Sequence, residues 1–174
     1  MMNQATLKSC FNGKIWAESI PDVTSHFYFS YSLIKPRHRR IRKGAHTMQD
    51  HTVLIVEDNP INLKVLRDLL MIHGYSTIEA VDGPSGLDMA LKHLPNLILL
   101  DIQMPEMNGY EVARLLKNDE STMNVPIIAV SSFAMNGEEE KALASGCDGY
   151  IKKPIDIRLV IAMVKKFLGE ETSP

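Results

Sequence analysis

From Thr52 onward, five short strand-like runs alternate with longer stretches whose apolar residues recur at helical spacing. The runs predict strands over 52–57, 76–80, 96–100, 126–131 and 148–152. They are too short for helices, and several are apolar at successive positions, as strands covered on both faces are. Between the first two, Asn59 caps a predicted helix with Pro60 at its first position, Ile61, Val65, Leu69 and Ile72 as its apolar stripe and Gly74 as its stop. A second helix is predicted over 84–93, and a third over 109–118 with Val112, Leu115 and Leu116 turned inward. The fourth has Glu138, Glu139 and Glu140 in its first turn and Gly146 at its end. The fifth runs over 156–168, with Ile157, Val160, Ile161 and Val164 buried and Lys165 and Lys166 near its negative end.

Regular alternation of strand and helix predicts an α/β fold with a parallel sheet covered on both faces. In that arrangement Glu57 and Asp58, after Val53-Leu54-Ile55-Val56, and Asp101, after Leu97-Ile98-Leu99-Leu100, reach one rim of the sheet. Carboxylates gathered at a rim call for something positive. Mg²⁺ is the expected visitor, since it takes carboxylates and waters in octahedral geometry and bridges to phosphate. Ser131 ends the fourth strand run and Lys153 precedes Pro154 just after the fifth, which adds a hydroxyl and an ammonium to the same rim. The combination points to phosphoryl chemistry.

Four separated motifs, VLIVEDN, LLDIQMPEMNGYE, PIIAVSSFAM and GYIKKPI, carry these residues in this order. Over residues 52 to about 168 the chain resembles the receiver domain of two-component response regulators, and within it the single-domain receivers of the DivK type, which govern bacterial polarity and differentiation. The resemblance implies a doubly wound, flavodoxin-like (βα)5 fold with a five-stranded parallel sheet of order 2-1-3-4-5 and its crevice at the carboxyl ends of the first and third strands. It implies Asp101 as phosphoacceptor and Mg²⁺ held by Glu57, Asp58, Asp101 and the backbone carbonyl of Gln103. Lys153, in preference to the adjacent Lys152, and Ser131 are the implied partners of the phosphoryl group, and Tyr150 is the implied switch aromatic. A cis Lys153–Pro154 bond is implied as well. The expected phosphoryl donor is a histidine kinase or histidine phosphotransfer protein. Output is expected through a protein target on the face of the fourth helix, fifth strand and fifth helix, because the chain leaves no length for an output domain after that helix. The chain is expected to be a monomer or weak dimer that assists its own phosphorylation and dephosphorylation without being a turnover enzyme.

Composition changes this picture mainly at the N-terminus. Hydrophobic residues make up 45% of 174, enough for one packed domain. No run is long enough for a membrane span and no signal-peptide core is present, so a cytoplasmic protein is expected. Cys10 and Cys147 are too few and too far apart for a disulfide framework or a metal-ligand pattern. The net charge of −2 averages two unlike parts: residues 1–47 hold eight Lys/Arg against Glu18 and Asp22, leaving 11 basic and 19 acidic residues in 48–174. An acidic body argues against nucleic-acid binding by the receiver. The basic extension 1–47 is read as disordered, an upstream reading-frame extension ahead of a natural start at Met48; the alternative is a basic arm for a membrane or nucleic acid, carried by Arg37-His38-Arg39-Arg40-Ile41-Arg42-Lys43.

Two other functions share parts of this pattern. A small-molecule phosphatase of the aspartyl-phosphate type, resembling haloacid dehalogenases, keeps a second aspartate two residues after the nucleophile, where this chain has Gln103. A pseudo-receiver loses the acceptor or the lysine, and both are kept. In receivers, residues two beyond the acceptor and two beyond the strand hydroxyl flank the path of water to the acyl phosphate; here they are Gln103 and Phe133. A bulky apolar ring excludes water and cannot orient it. The phosphoryl group is therefore predicted to last many minutes. Loss of label from purified phosphoprotein, compared with Phe133→Glu and Phe133→Ala, checks this; decay within seconds, or no change in either variant, contradicts it.

Overall fold

A computed structural model describes residues 13–20, 23–31, 51–132 and 137–170, the first two segments by their backbone alone. The chain divides into two units, Met1–His46 and Thr47–Pro174. In the first, β1 (Gly13–Ile20) pairs antiparallel with β2 (Val23–Tyr31), and the register shifts between Glu18 and Ile20. This ribbon lies within the extension 1–47. Its source is the aromatic and β-branched content of Val23–Tyr31, which favours extended chain even where no clean alternation is present. Two strands alone are marginally stable.

The second unit is built from β3 (Thr52–Val56), α1 (Pro60–Ile72), β4 (Ser76–Ala80), α2 (Gly83–His93), β5 (Leu97–Asp101), α3 (Gly109–Asn118), β6 (Ile127–Ser131), α4 (Glu138–Ala144), β7 (Gly149–Lys152) and α5 (Ile157–Phe167). All five strands pair in parallel, in the order β4-β3-β5-β6-β7. Counted from β3, this is the doubly wound order 2-1-3-4-5, so the chain reverses direction across the sheet between β3 and β5 and opens a crevice at their carboxyl ends. Every residue of β5 and β6 is buried, which is why these strands read as continuous apolar runs.

Period-2 alternation divides each strand between two cores. Leu54, Val56, Ile98, Leu100, Ile127 and Ala129 face α2, α3 and α4, while Val53, Ile55, Leu97, Leu99, Ile128 and Val130 face α1 and α5. Full burial of each of the larger aliphatic side chains is worth roughly 1.5–3 kcal/mol. These two layers fix the strand register and with it the rim.

The helix boundaries follow their caps. Asn59 accepts from the N–H groups of Ile61 and Asn62, Asp82 from Ser85, Asn108 from Glu111 and Asp156 from Arg158, each cap being worth about 1 kcal/mol. The buried faces correct three expectations. On α1 the core residues are Leu63, Leu66, Leu69 and Leu70, whereas Ile61, Val65 and Ile72 are exposed. Leu115 of α3 and Ile157 of α5 are likewise exposed, and Tyr110 and Ala113 join Val112 and Leu116 inside. Each helix has apolar residues on more than one face, so spacing alone does not set the phase.

Among the described residues no helix is long and apolar enough to cross a membrane. Cys147 is a buried free thiol whose pKa burial pushes up to about 12, which leaves it unreactive. Because the second unit has its own core, deleting residues 1–47 is expected to leave the thermal midpoint of unfolding nearly unchanged. A large drop in the 48–174 fragment would contradict this.

Candidate functional site

The carboxyl ends of β3 and β5 bring three acids together. Glu57 follows β3 directly and donates its N–H to the carbonyl of Ala80 on β4 at 3.1 Å, so its backbone extends the sheet. Asp101 is the last residue of β5, in register with Val130 of β6, one position earlier relative to the strand end than the sequence pattern placed it. Glu57 and Asp101 are 1% and 3% exposed, while Asp58 is open to solvent. One carboxylate oxygen from each of the three lies within 4.8 Å of the others.

Lys153 supplies the opposing charge. Its backbone N–H donates to the carbonyl of Ser131 at 2.7 Å, which ties the residue after β7 to the end of β6. From there the ammonium reaches across the rim, donating to Glu57 at 3.1 Å (Oε1) and 2.8 Å (Oε2) and to Asp101 Oδ2 at 2.6 Å. Lys152, in register with Ser131, is exposed. The Lys153–Pro154 bond is cis. Ser131 is fully buried, and Tyr150 is partly buried against the α2, α3 and α4 core.

Two further groups complete the cluster. The N–H of Gln103 donates to Asp101 Oδ1 at 2.8 Å, leaving Oδ2 to Lys153. Asn62, on the first turn of α1, donates its side-chain amide to Glu57 Oε1 at 2.9 Å. Sequence reasoning missed Asn62. The signal available was its position three residues after the capping Asn59, which turns it back toward the end of β3.

Burial raises the pKa of Glu57 above the ordinary carboxylate value; hydrogen bonds from Lys153 and Asn62 oppose that rise, and the charge of Asp101 adds to it. Burial by itself would lower the pKa of Lys153. Its bonds to Asp101 and Glu57 outweigh that, and the ammonium is held protonated.

The donor set fits Mg²⁺. Its three acids offer carboxylate oxygens, the hard ligands that cation prefers, with one acid open to solvent where coordinated waters need room. With all three acids ionised, three negative charges face one ammonium, an imbalance of two that a divalent cation cancels.

A glycine lets the loop after β5 close tightly. A Cβ at Gly109 would collide with the Asp101 carbonyl oxygen and lie 2.8 Å from Ile102 Cα, so α3 begins directly against the end of β5. The N–H of Gly109 donates to the Ile102 carbonyl at 3.1 Å. In the same loop Glu106 takes a left-handed conformation, with φ of 65°. Phe133, the second residue of the expected water path, lies outside the described residues.

Comparison with known proteins agrees with this geometry. The family model for the response regulator receiver domain matches residues 53–165. The polar-differentiation response regulator DivK of Brucella ovis is 48% identical over 119 residues, covering 68% of this chain and 97% of that protein, and the Brucella anthropi protein of the same name is 47% identical over the same shares. Among solved structures, the receiver domain of a Pseudomonas aeruginosa sensor histidine kinase, with a magnesium ion coordinated in its active-site cleft, superposes with a TM-score of 0.65 at 30% identity, covering 69% of this chain and 98% of that one. The signal receiver domain of a Syntrophus aciditrophicus signal transduction histidine kinase gives 0.64 at 30% identity, covering 71% and 95%. The fold alone is shared with a Vibrio cholerae chemotaxis protein, CheY4, at 23% identity and a TM-score of 0.64, covering 67% and 98%. With the doubly wound sheet and the acidic rim in place, this chain belongs to the response regulator receiver domain family, among relatives of the DivK kind.

Proposed function

We propose that this protein is a phosphorylation-controlled interaction module that accepts a phosphoryl group on Asp101 from a phosphohistidine of a histidine kinase or histidine phosphotransfer protein. An Asp101 carboxylate oxygen attacks the phosphorus, the P–N bond breaks, and the bonding pair returns to the departing imidazole, leaving an acyl phosphate on this chain. The observation that carries the reading is Lys153 Nζ, 2.6 Å from Asp101 Oδ2 in a rim of three carboxylates. An ammonium already at the acceptor is positioned to pair with the phosphoryl oxygens as they arrive, at no cost of reorganisation. Glu57, Asp58, Asp101 and the Gln103 carbonyl are assigned to Mg²⁺, which when bound screens the charge between the acceptor and the phosphoryl oxygens. Asn62 holds Glu57 in place for that role.

Ser131, at the end of β6, is assigned to a phosphoryl oxygen, and Tyr150 on β7 to the readout. Movement of the Ser131 side chain toward the phosphoryl group alters the space near α4; Tyr150 turns into it and the face of α4, β7 and α5 changes shape. A protein target on that face then reads phosphorylation through its unequal affinity for the two arrangements. The module works in the cytoplasm, turns over no external substrate and contacts no nucleic acid through the receiver.

Purified protein incubated with acetyl phosphate and Mg²⁺ is expected to gain label on Asp101 alone. Asp101→Asn and added chelator should each abolish it. Undiminished labelling of the variant, or labelling that ignores the chelator, would remove the basis of this reading.

A further inference from the structure

Helix α4, the element the proposed switch must move, is weakly anchored by apolar packing. Of its seven residues only Ala142 is buried, and Leu143 is 48% exposed. Its N-cap, Gly137, has a φ of 97° and contributes no side-chain cap. Besides the packing of Ala142 into the core and the contact with β7, one side chain of α3 bonds to its first turn. Tyr110, second residue of α3 and 7% exposed, donates its hydroxyl to Glu138 Oε2 in the first turn of α4. The Lys141 ammonium, one turn further along, lies 4.4 Å from the centre of the same ring. Tyr110 thus grips two successive turns.

The other end of this grip is at the acceptor. Gly109 is seated on the backbone of Asp101 and Ile102, so the residue that contacts the end of β5 is joined directly to the one that holds α4. Tyr150 belongs to the same core and is near enough to influence the Tyr110 hydroxyl electrostatically. Burial and the bond to Glu138 both raise the phenol pKa, so the hydroxyl keeps its proton and remains a donor.

We propose that Tyr110 is a positioning residue: it latches α4 in the unphosphorylated arrangement through Glu138 and Lys141, and its release is part of the switch. Breaking the latch shifts the pre-existing equilibrium toward the arrangement that phosphorylation favours, and by linkage makes Asp101 easier to phosphorylate. The coupling to Asp101 rests on the proposed function; the latch itself does not.

Amide hydrogen exchange of the full-length unphosphorylated protein tests the latch. Tyr110→Phe keeps the ring and removes only the donor. It is expected to speed exchange at residues 138–144 by roughly ten- to a hundredfold, the range for a lost hydrogen bond to a charged group, and to leave β3 and β5 unchanged. Glu138→Ala should match it, the double variant should exceed neither single variant, Glu138→Gln should retain most of the protection, and Glu139→Ala should behave as wild type. Unchanged exchange in α4, additive effects of the two substitutions, or an increase spread evenly over the chain overturns the latch. Labelling by acetyl phosphate then tests the coupling: Tyr110→Phe is expected to label several-fold faster than wild type, and an equal rate overturns it. Should wild type take no label on Asp101, the proposed function fails while the exchange result still decides the latch.

Discussion

Two carboxylates buried around one ammonium are the arrangement on which this molecule turns. Glu57 and Asp101 sit almost wholly out of water at the ends of adjacent strands, and Lys153 arrives from a third to bond both. Desolvating ionised groups costs several kcal/mol per ion, and such clusters survive where good geometry and additional hydrogen bonds offset the penalty. Here the additional bonds come from Asn62 and from the N–H of Gln103. The sheet makes the meeting possible. Its two aliphatic layers fix the register of β3, β5 and β6 so that all three end along one rim, and the β6–β7 pairing carries Lys153 in beside Ser131.

The consequence is a site with a surplus of negative charge that a divalent cation would cancel. A purely structural ion pair would be balanced; this one has Asp58 at its open edge with the other acids only partly compensated. Dynamics enter through α4. A short helix with one buried residue is the natural place for motion in an otherwise well-packed domain, and it lies on the face assigned to output. The parts of the fold are thus held differently: the strands by two continuous cores, and α4 by Ala142 and a polar grip.

Much of this was legible in the sequence, for particular physical reasons. Strands β3, β5 and β6 were readable because a buried parallel strand is nearly all apolar, β4 and β7 from their place in the alternation, and the helix starts because Asn59, Asp156 and the first-turn glutamates mark them. Glu57, Asp58 and Asp101 were readable because charge at the end of an apolar run must emerge at a rim, whereas Lys153 was preferred to Lys152 through the resemblance, from its place before Pro154. The inward faces of α1, α3 and α5 were harder, since Ile61, Val65, Ile72, Leu115 and Ile157 are as apolar as the residues that are buried, and only the sheet decides between them. Asn62 and Tyr110 escaped notice because each acts through one hydrogen bond to another element, which no local pattern encodes. The ribbon of β1 and β2 was hidden by a register shift and an irregular aromatic run.

The charge-balance account is tested most directly by following the thermal stability of wild type and Lys153→Met at pH 8 with and without Mg²⁺. Removing the ammonium leaves Glu57 and Asp101 buried without their cation, a loss of roughly 3–5 kcal/mol if both stay ionised. A divalent cation binding the folded state stabilises it in proportion to its affinity, and that affinity should be greater where the ammonium no longer competes for the same oxygens. The account predicts that Mg²⁺ raises the midpoint of Lys153→Met more than that of wild type. Equal shifts in the two proteins, or none in either, would show that the acidic rim is not a cation site balanced by Lys153.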